Sequence, residues 1–312
     1  MTKLNNTNNA AIWPDLHSRI DAISADPWNT FSVRVDVLRE DLLDVEISGN
    51  KWRKLKYNIL HCIDNQIDTI ITVGGNYSNH LAATAKACEE FGIKSIGLVR
   101  SYSNRKTATL KRADFLGMQL KFIPPSSFEA EKKVYLNGLA RRYHFIEMGG
   151  ANQLGVLGCA EILNGSTVEY DYIAVACGTG STLSGIMNSA ERHQNILGFP
   201  AYKSDERLHN DISKFLVSKS SKSKLEIMAG YDFGGFGKMD ENLIRFIKTF
   251  YDSTKIPLDG IYTGKMMFGL FEMLHHGYFP TGSKILAIHT GGLQGNIGLN
   301  KKYKAELPVP SF

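Results

Sequence analysis

The sequence predicts an α/β protein whose parallel sheets are covered by helices on both faces. From about residue 68 onward, short apolar and β-branched runs alternate with longer helix-like segments. Continuous apolar strands separated by helices are typical of buried parallel sheets. Glycine-rich segments follow three predicted strands, at Gly74-Gly75, Gly178–Gly180 and Gly291-Gly292. Because ligands bind beyond the carboxyl ends of parallel strands, these segments predict one common site.

The first series of strands and helices spans residues 68–139. Its predicted strands cover residues 68–73, 94–99 and 119–123. The first of them reads DTIITV, and its β-branched residues favour extended structure. The predicted helices cover residues 79–91, 106–116 and 128–139. We expect this series to form one small domain.

A second series follows. Its predicted strands are YDYIAVA at 170–176 and KILAIH at 284–289, and both are apolar enough to be buried. The predicted helices cover residues 152–163, 182–193, 211–217, 242–251 and 265–275. Neither an internal repeat nor a long linker separates the two series, so composition alone does not mark a domain boundary.

Composition places the chain among ordinary globular proteins, with 312 residues, 43% hydrophobic and 21% charged. No apolar run is long enough to span a bilayer, and residues 1–14 are polar without a signal-peptide core. The four cysteines form no CxxC pair, which argues against a disulfide framework or a structural zinc site and favours a reducing cytoplasm. No HExxH pattern is present, and we expect no catalytic metal.

The net charge is +5, and the clearest basic cluster lies at residues 218–224. It lacks interleaved aromatic residues, so a solvated loop is favoured over a nucleic-acid surface. We therefore expect neither nucleic acid nor membrane as a partner. A mildly positive protein attracts small anions such as amino-acid carboxylates and phosphates.

Lys51 follows Gly49-Asn50 where an amphipathic helix is predicted to begin. The positive end of a helix disfavours a neighbouring ammonium, so Lys51 is expected to be neutral. A neutral lysine can attack an aldehyde and form a Schiff base. The alternative is a solvated lysine on a basic helix face that also carries Arg53, Lys54 and Lys56.

A phosphate-binding loop is predicted directly after the buried strand at 170–176. It contains Gly178, Thr179, Gly180, Ser181 and Thr182 and opens a helix. Glycines allow backbone N–H groups to turn inward, the hydroxyls add donors, and the helix terminus favours a dianion. The loop lacks the Gly-Lys-Ser/Thr ending of a nucleotide-binding P-loop and is not a G-x-G-x-x-G fingerprint. A plain strand-to-helix turn is the alternative.

Ser78 and Asn79 begin a helix after Gly74-Gly75. Ser78 is either an ordinary N-cap or a ligand for a carboxylate. A Ser–His hydrolase is disfavoured, because residues two apart on a helix do not face each other. Further along the chain, Tyr262-Thr263 and Thr290 place hydroxyls beside glycines, each a weak signal alone.

Taken in order, these words resemble one known family. They are Gly-Asn-Lys51-x-Arg-Lys-Leu, Gly-Gly-x-x-Ser78-Asn79, Gly149-Gly150-x-Asn152-x-x-Gly155-x-x-Gly158, Gly178 to Thr182, Tyr262-Thr263-Gly264-Lys265 and His289-Thr290-Gly291-Gly292. They are similar to the D-cysteine desulfhydrase and 1-aminocyclopropane-1-carboxylate (ACC) deaminase family of pyridoxal 5'-phosphate (PLP) enzymes. The resemblance runs from about Arg39 to Gly292.

The resemblance implies a tryptophan-synthase-β-like fold, with two open twisted parallel-sheet domains and the cofactor between them. It implies a large PLP-binding domain of residues 1–52 and 161–312, and a small α/β domain of residues 53–160. A homodimer that acts on a small amino acid is implied as well.

The resemblance also implies a role for each motif residue. Lys51 would hold PLP covalently and move the substrate proton, and Gly178 to Thr182 would hold the cofactor phosphate. Asn79 would contact the ring hydroxyl, and Ser78 would lie near the substrate carboxylate. Thr290, with Thr263, would sit near the pyridine nitrogen. Tyr262 is a candidate catalytic phenol.

Four departures from the family pattern bear on the substrate. ACC deaminases carry a glutamate where this chain has Thr263, and a carboxylate would make the ring a stronger electron sink. Phe236 replaces a family tyrosine, for which Tyr77, Tyr231 or Tyr262 could substitute. Cys159 also stands where the family often has tyrosine. Asn76-Tyr77 replaces the usual Ile-Gln.

The motif residues favour a PLP-dependent lyase. Thr263 and the Ser-Asn-His80 continuation favour β-elimination from D-cysteine, which releases pyruvate, ammonia and sulfide, whereas the other three departures weaken the assignment of a substrate. ACC deamination to 2-oxobutyrate and ammonia is the alternative, and a serine-dehydratase or racemase activity comes third. A hypothesis of another class is a non-catalytic protein that binds a phosphorylated metabolite. It would explain the glycine-rich loop but would leave Lys51 without a purpose.

Overall fold

A computed structural model describes residues 13–25, 27, 30–140, 142–203, 206–217 and 223–310. Its strands form two sheets, one of six strands and one of four. Most of the predicted basic loop, and all of residues 1–12, lie outside the described residues. Within the described ranges, the helices are all too short or too polar to cross a membrane.

The six-stranded sheet has the order β1-β2-β10-β7-β8-β9 and is parallel except for β1. Its strands are β1 (Arg19–Ala22), β2 (Arg34–Arg39), β7 (Tyr172–Cys177), β8 (Asn195–Pro200), β9 (Lys224–Ile227) and β10 (Lys284–Ile288). The last strand in sequence thus lies in the middle of this sheet, between β2 and β7.

The four-stranded sheet is parallel throughout, in the order β5-β4-β3-β6. Its strands are β3 (Thr69–Gly74), β4 (Lys94–Arg100), β5 (Gln119–Ile123) and β6 (His144–Ile146). All four come from the middle of the chain. The division into domains at residues 52 and 160 remains a prediction.

Helices cover the sheets. They are α1 (Asn50–Asp64), α2 (Asn79–Glu90), α3 (Ala108–Phe115), α4 (Phe128–Asn137), α5 (Gln153–Cys159), α6 (Ser181–Ser189), α7 (Glu206–Ser213), α8 (Glu241–Thr254), α9 (Thr263–His275) and α10 (Gly295–Tyr303). Short 3₁₀ turns occur at Glu40–Leu42, Met148–Gly150 and Gly165–Thr167.

Both faces of the large sheet are buried, which confirms the predicted fold class. On one face, Phe250 of α8 and Phe271 of α9 are almost fully buried in a cluster that includes strand residue Ala287. On the other, Ile186 of α6 packs in a cluster with Val175. Complete burial of one such large apolar side chain contributes about 1.5–3 kcal/mol.

Several elements differ from the sequence prediction. The helix expected at 152–163 ends at Cys159, and the one expected at 211–217 occupies Glu206–Ser213. Strand β2 was not predicted, because its charged residues interrupt the apolar pattern. In the structure Asp36 is buried against Arg34 at 2.6 Å, and Arg39 pairs with Asp41 at 2.7 Å. Strands β1, β6, β8 and β9 are likewise additions.

Close helix packing fixes the position of α1. A Cβ added to Gly158 of α5 would lie 1.8 Å from the Arg53 carbonyl oxygen of α1, so only glycine fits there. Gly185 of α6 has the same relation to Cys159, with 2.4 Å to the Cys159 Cβ. Cys159 is therefore buried between helices and is outside the cavity lining, although its thiol interacts with the Thr182 hydroxyl at the cavity wall.

Candidate active site

A cavity of about 700 Å³ lies where the glycine-rich segments meet. The structure brings most of the predicted site residues to its wall: Lys51, Ser78, Asn79, Gly178, Thr179, Gly180, Thr182, Tyr262 and Thr290. Ser181 and Thr263 are fully buried and lie outside the lining. The size suits a small-molecule ligand of a few hundred daltons.

Lys51 is the second residue of α1, so the helix does begin at the predicted place. The turn before it depends on Gly49, whose φ is +66°. A Cβ there would lie 2.0 Å from the Thr290 carbonyl oxygen, and that same oxygen accepts the Asn50 N–H at 3.1 Å. The start of the lysine helix is thus held against the loop that follows β10.

The Lys51 amine donates to Asn50 Oδ1 at 2.8 Å, and Asn50 Nδ2 donates to Thr182 Oγ1 at 2.9 Å. Burial holds the pKa of Lys51 well below its ordinary value, and the charge of Lys54 lowers it further. The sequence predicted this direction from the helix terminus, whereas burial is the largest cause. A neutral amine of this kind can act as a nucleophile or as a base.

Lys54 is a site residue that sequence reasoning assigned to a solvated surface. It lies one turn after Lys51, is 4% exposed and lines the same cavity. Its ammonium donates to the Gly149 carbonyl at 2.8 Å, and a Cβ on Gly149 would lie 3.1 Å from Thr179 Cγ2. A buried cation therefore lies close to the predicted phosphate loop. Because residues three apart lie on the same face of a helix, the spacing of Lys54 from Lys51 could have indicated that both face the cavity.

The predicted phosphate loop connects β7 to α6. Gly180 is the N-cap of α6, with φ +81°, a conformation that glycine adopts without strain. The hydroxyls of Thr179 and Ser181 lie 3.2 Å apart. The helix terminus and the Lys54 ammonium both favour an anion at this position.

Ser78 and Asn79 open α2. The Ser78 hydroxyl accepts the Leu81 N–H at 3.2 Å, so Ser78 is an N-cap and also lines the cavity. Asn79 Oδ1 is buried and finds no hydrogen-bond partner among the described residues. Leaving a buried acceptor unsatisfied costs about 1–3 kcal/mol. A ligand with a hydroxyl group would remove that cost.

Asp259 is a second residue that the sequence did not reveal. Its fully buried carboxylate accepts backbone N–H groups from Ile261, Tyr262 and Thr263, each at 2.8 Å. It also accepts the Thr263 hydroxyl at 2.6 Å. Thr263 replaces a glutamate of ACC deaminases, yet a carboxylate does stand directly beside it. Because Asp259 supplies a carboxylate here, Thr263 distinguishes this chain from ACC deaminases less clearly than the sequence alone indicated.

His80 lines the cavity in neutral form. Burial and the charges of Lys51 and Lys54 hold its pKa well below the usual value. His80 Nε2 lies 2.9 Å from the Thr72 hydroxyl, which itself donates to the Ile146 carbonyl, so Nε2 carries the ring proton. The imidazole bonds Thr72 rather than Ser78, consistent with the absence of a Ser–His pair in the prediction.

Aromatic rings form one side of the cavity mouth. Phe236 stacks on Tyr202 at 5.1 Å and meets the edge of Tyr262 at 5.9 Å. Of the three tyrosines considered as substitutes for the family phenol, Tyr77 and Tyr262 line the cavity. Tyr231 lies outside the lining and packs on Phe199.

Comparison with known proteins agrees with this geometry. Residues 29–291 match the model of a family described as pyridoxal-phosphate dependent enzyme. A putative ACC deaminase of Pyrococcus furiosus is 29% identical, over 92% of this chain and 96% of that protein. The mitochondrial bifunctional D-cysteine desulfhydrase/ACC deaminase of Arabidopsis thaliana is 27% identical, over 83% of this chain and 72% of that protein. A crystal structure of an ACC deaminase homologue superposes with a TM-score of 0.80 at 25% identity, covering 95% and 97% of the two chains.

Proposed function

This chain belongs to the family of pyridoxal-phosphate dependent enzymes, and we propose that it catalyses β-elimination from D-cysteine or a related β-substituted D-amino acid. The net reaction converts D-cysteine and water into pyruvate, ammonia and hydrogen sulfide. Membership of an enzyme family argues against the alternative of a non-catalytic metabolite-binding protein.

The residues of the cavity fit PLP. The neutral Lys51 amine suits the aldehyde, and the loop from Gly178 to Thr182 together with Lys54 suits the phosphate. The unsatisfied Asn79 amide suits the ring hydroxyl. When bound, the cofactor supplies an electron-accepting ring that stabilises negative charge on the substrate α-carbon.

The observation that carries the proposal is the buried Lys51 amine, which donates to Asn50 inside the cavity and whose pKa burial holds well below its ordinary value. Such an amine can take a proton from the α-carbon of a bound amino acid. D-cysteine offers that proton together with a thiolate leaving group, whereas ACC has no α-hydrogen. Ser78 and the N-terminus of α2 are placed to hold the substrate carboxylate.

Tyr262 supports the same chemistry as a proton donor. Burial raises the pKa of its phenol, so the hydroxyl stays protonated at neutral pH. The ring lies over the phosphate loop, because a Cβ on Gly178 would be 3.4 Å from Tyr262 Cε1. We assign Tyr262 the protonation of a leaving group or of a product.

ACC deamination is the second candidate function. Several relatives bear that name, including those of Pyrococcus furiosus and Arabidopsis thaliana. Asp259 accepts the Thr263 hydroxyl and so adds negative charge near the expected position of the pyridine nitrogen. That charge would strengthen the electron sink that opening of the cyclopropane ring needs.

The deciding experiment measures pyruvate, 2-oxobutyrate and sulfide release by the PLP-loaded protein. D-cysteine, L-cysteine, D-serine and ACC are compared under one set of conditions, with Lys51→Ala as the inactive control. We expect turnover of D-cysteine with equal amounts of sulfide and pyruvate. Turnover of ACC alone would replace the first proposal with the second.

The expected cytoplasmic location and homodimeric state are part of this proposal. The homodimer comes from the family resemblance, whereas the cytoplasmic location comes from the scattered cysteines, which fit a reducing compartment. Light scattering of the purified holoenzyme measures the mass directly, and a monomer of 34.7 kDa would contradict the dimer.

A further inference from the structure

Lys265 carries a buried charge that the chemistry above does not use. It lies in the first turn of α9, is 1% exposed and is outside the cavity lining. Its ammonium donates to three backbone carbonyl oxygens, those of Asp232 at 2.8 Å, Gly235 at 2.7 Å and Ala201 at 3.3 Å. The three N–H donors of the ammonium thus meet three acceptors.

Only the charged form satisfies this arrangement. A neutral amine has two N–H donors and would turn a lone pair toward a carbonyl oxygen. Burial lowers the pKa of Lys265 to about 8, against the opposing effect of the Asp232 and Asp259 carboxylates. The neighbouring phenols of Tyr231 and Tyr262 stay protonated, because burial raises the pKa of each. Of Lys265 and these two phenols, Lys265 is the group whose pKa lies near 8.

The three carbonyls belong to two loops that carry the aromatic wall. Ala201 precedes Tyr202 at the end of β8, and residues 230–237 form a loop that ends at the cavity with Phe236 and Gly237. Five residues of that loop have positive φ: Gly230, Phe233, Gly234, Gly235 and Gly237. The Gly235 N–H donates to the Asp232 carbonyl and the Lys238 N–H donates to the Gly235 carbonyl, and the Lys265 ammonium donates to both of these acceptors as well.

One further contact holds the far end of this loop. The Gly237 carbonyl accepts the Lys302 ammonium at 3.0 Å and the Tyr303 hydroxyl at 3.2 Å. Both of these donors come from α10. Tyr231 of the loop also packs on Phe199, and Phe233 packs on Phe268. Lys265 adds the polar contacts between the loop and the segment of Tyr202, so it supports the stacking of Phe236 on Tyr202.

We propose that Lys265 is a positioning residue that sets the aromatic wall of the substrate cavity by holding the loops of Tyr202 and Phe236 together. Through these loops Lys265 affects how tightly the cavity encloses a substrate, and it does not contact the Lys51 amine. The role in substrate binding rests on the proposed function, whereas the structural role does not.

Hydrogen–deuterium exchange followed by mass spectrometry tests this role. We compare wild type with Lys265→Met, which keeps the apolar stem and removes the donors. Lys238→Met is the matched control, since Lys238 is an exposed lysine of the adjoining segment. Exchange in residues 230–237 should quicken at least about tenfold in Lys265→Met, because each hydrogen bond to a charged group is worth a factor of this size. Unchanged exchange there, or an equal rise across the whole chain, would overturn the proposal.

A pH series on wild type decides the matter even if Lys265→Met does not fold. After correction for intrinsic rates, exchange in residues 230–237 should increase selectively between pH 7 and pH 9, as the ammonium loses its proton. No selective increase would count against the role of Lys265.

Kinetics extend the test to the substrate. Lys265→Met should raise KM several-fold and leave kcat within about twofold, since the reacting groups stay in place. Phe236→Ala should raise KM similarly without the change in exchange. Equal losses in kcat and kcat/KM for Lys265→Met would contradict a role in enclosure. These kinetics use whichever of D-cysteine or ACC is turned over. The exchange experiment needs no substrate, so it tests Lys265 even if the proposed function is wrong.

Discussion

At the scale of single residues, the cavity brings together side chains that a bound ligand would complete. They are basic groups with lowered pKa values and an amide oxygen without a hydrogen-bond partner in the part of the chain that the structure describes. Burial, together with neighbouring lysine charges, holds the pKa of Lys51 and of His80 well below the ordinary values. Asn79 has an acceptor without a partner among the described residues. The sequence identified Lys51 and Asn79 as site residues because each lies in a short contiguous motif. It did not reveal Lys54, whose burial depends on helix packing that local sequence does not encode.

Replacement of Lys54 tests the second cation. Lys54→Met should weaken binding of PLP about 10- to 100-fold, the worth of one hydrogen bond from a charged group. Pyridoxal, which lacks the phosphate, should bind nearly as well to the variant as to wild type. Fluorescence titration of the cofactor-free protein with both compounds measures the difference. An equal loss for both would show that Lys54 does not meet the phosphate.

Replacement of Asn79 should have opposite effects on the two forms of the enzyme. Asn79→Ala removes an unsatisfied acceptor, so the cofactor-free protein should gain about 1 kcal/mol of unfolding free energy. The PLP-loaded protein should lose stability, because the amide no longer contacts the ring hydroxyl. Urea unfolding with and without PLP gives both values. A loss of stability in both forms would assign Asn79 a purely structural role.

At the scale of elements, helix α1 is useful because its first turn is placed accurately. The Gly49 turn fixes one side of it, and the approach of Gly158 to Arg53 fixes another. The sequence predicted where α1 begins from the Gly-Asn-Lys word. The contact with Thr290 is more than two hundred residues away along the chain, so no local pattern could reveal it.

A pair of glycine variants separates backbone strain from steric clash. Gly49 and Gly92 have φ values of +66° and +67°, but only Gly49 has atoms within 4 Å of an added Cβ. Gly92→Ala should cost about 1 kcal/mol, the ordinary penalty for positive φ. Gly49→Ala should cost at least about 3 kcal/mol, a size typical of severe overpacking, and should disturb the Lys51 amine.

The measurement for this pair is urea unfolding, together with the visible absorbance of PLP bound through Lys51. Equal losses of stability in the two variants would mean that the loop of Thr290 moves away from the added methyl group and so relieves the clash.

At the scale of the whole molecule, two parallel sheets lie on either side of one cavity. The fold class could be predicted, because long apolar strands and helices alternate in the sequence. The strand order could not, since β2 carries charges that are neutralised only in the folded protein. The buried Asp36 carboxylate of β2 accepts the Tyr170 hydroxyl at 2.5 Å, and these two residues are 134 positions apart, so no local pattern shows the contact.

The pH dependence of stability is a property of the whole cationic cluster. The folded pKa values of Lys51, Lys54 and His80 are all lowered, so the unfolded chain binds more protons than the folded one. Stability of the cofactor-free protein should therefore rise with pH toward the ordinary pKa of each group, which is 6.5 for His80 and 10.5 for the two lysines. Thermal unfolding at fixed ionic strength measures this slope, and Lys51→Met should flatten it. A slope unchanged in that variant would place the titration elsewhere.

The central position of β10 has a consequence for the order in which the protein can be made. Residues 284–288 complete the six-stranded sheet from the inside, between strands that were synthesised some 110 and 250 residues earlier. Until they emerge from the ribosome, β2 and β7 have no common neighbour, and the Thr290 carbonyl that receives the lysine helix does not yet exist. We therefore expect only a nearly finished chain to capture the cofactor, and a chain truncated before residue 284 to fail to bind it.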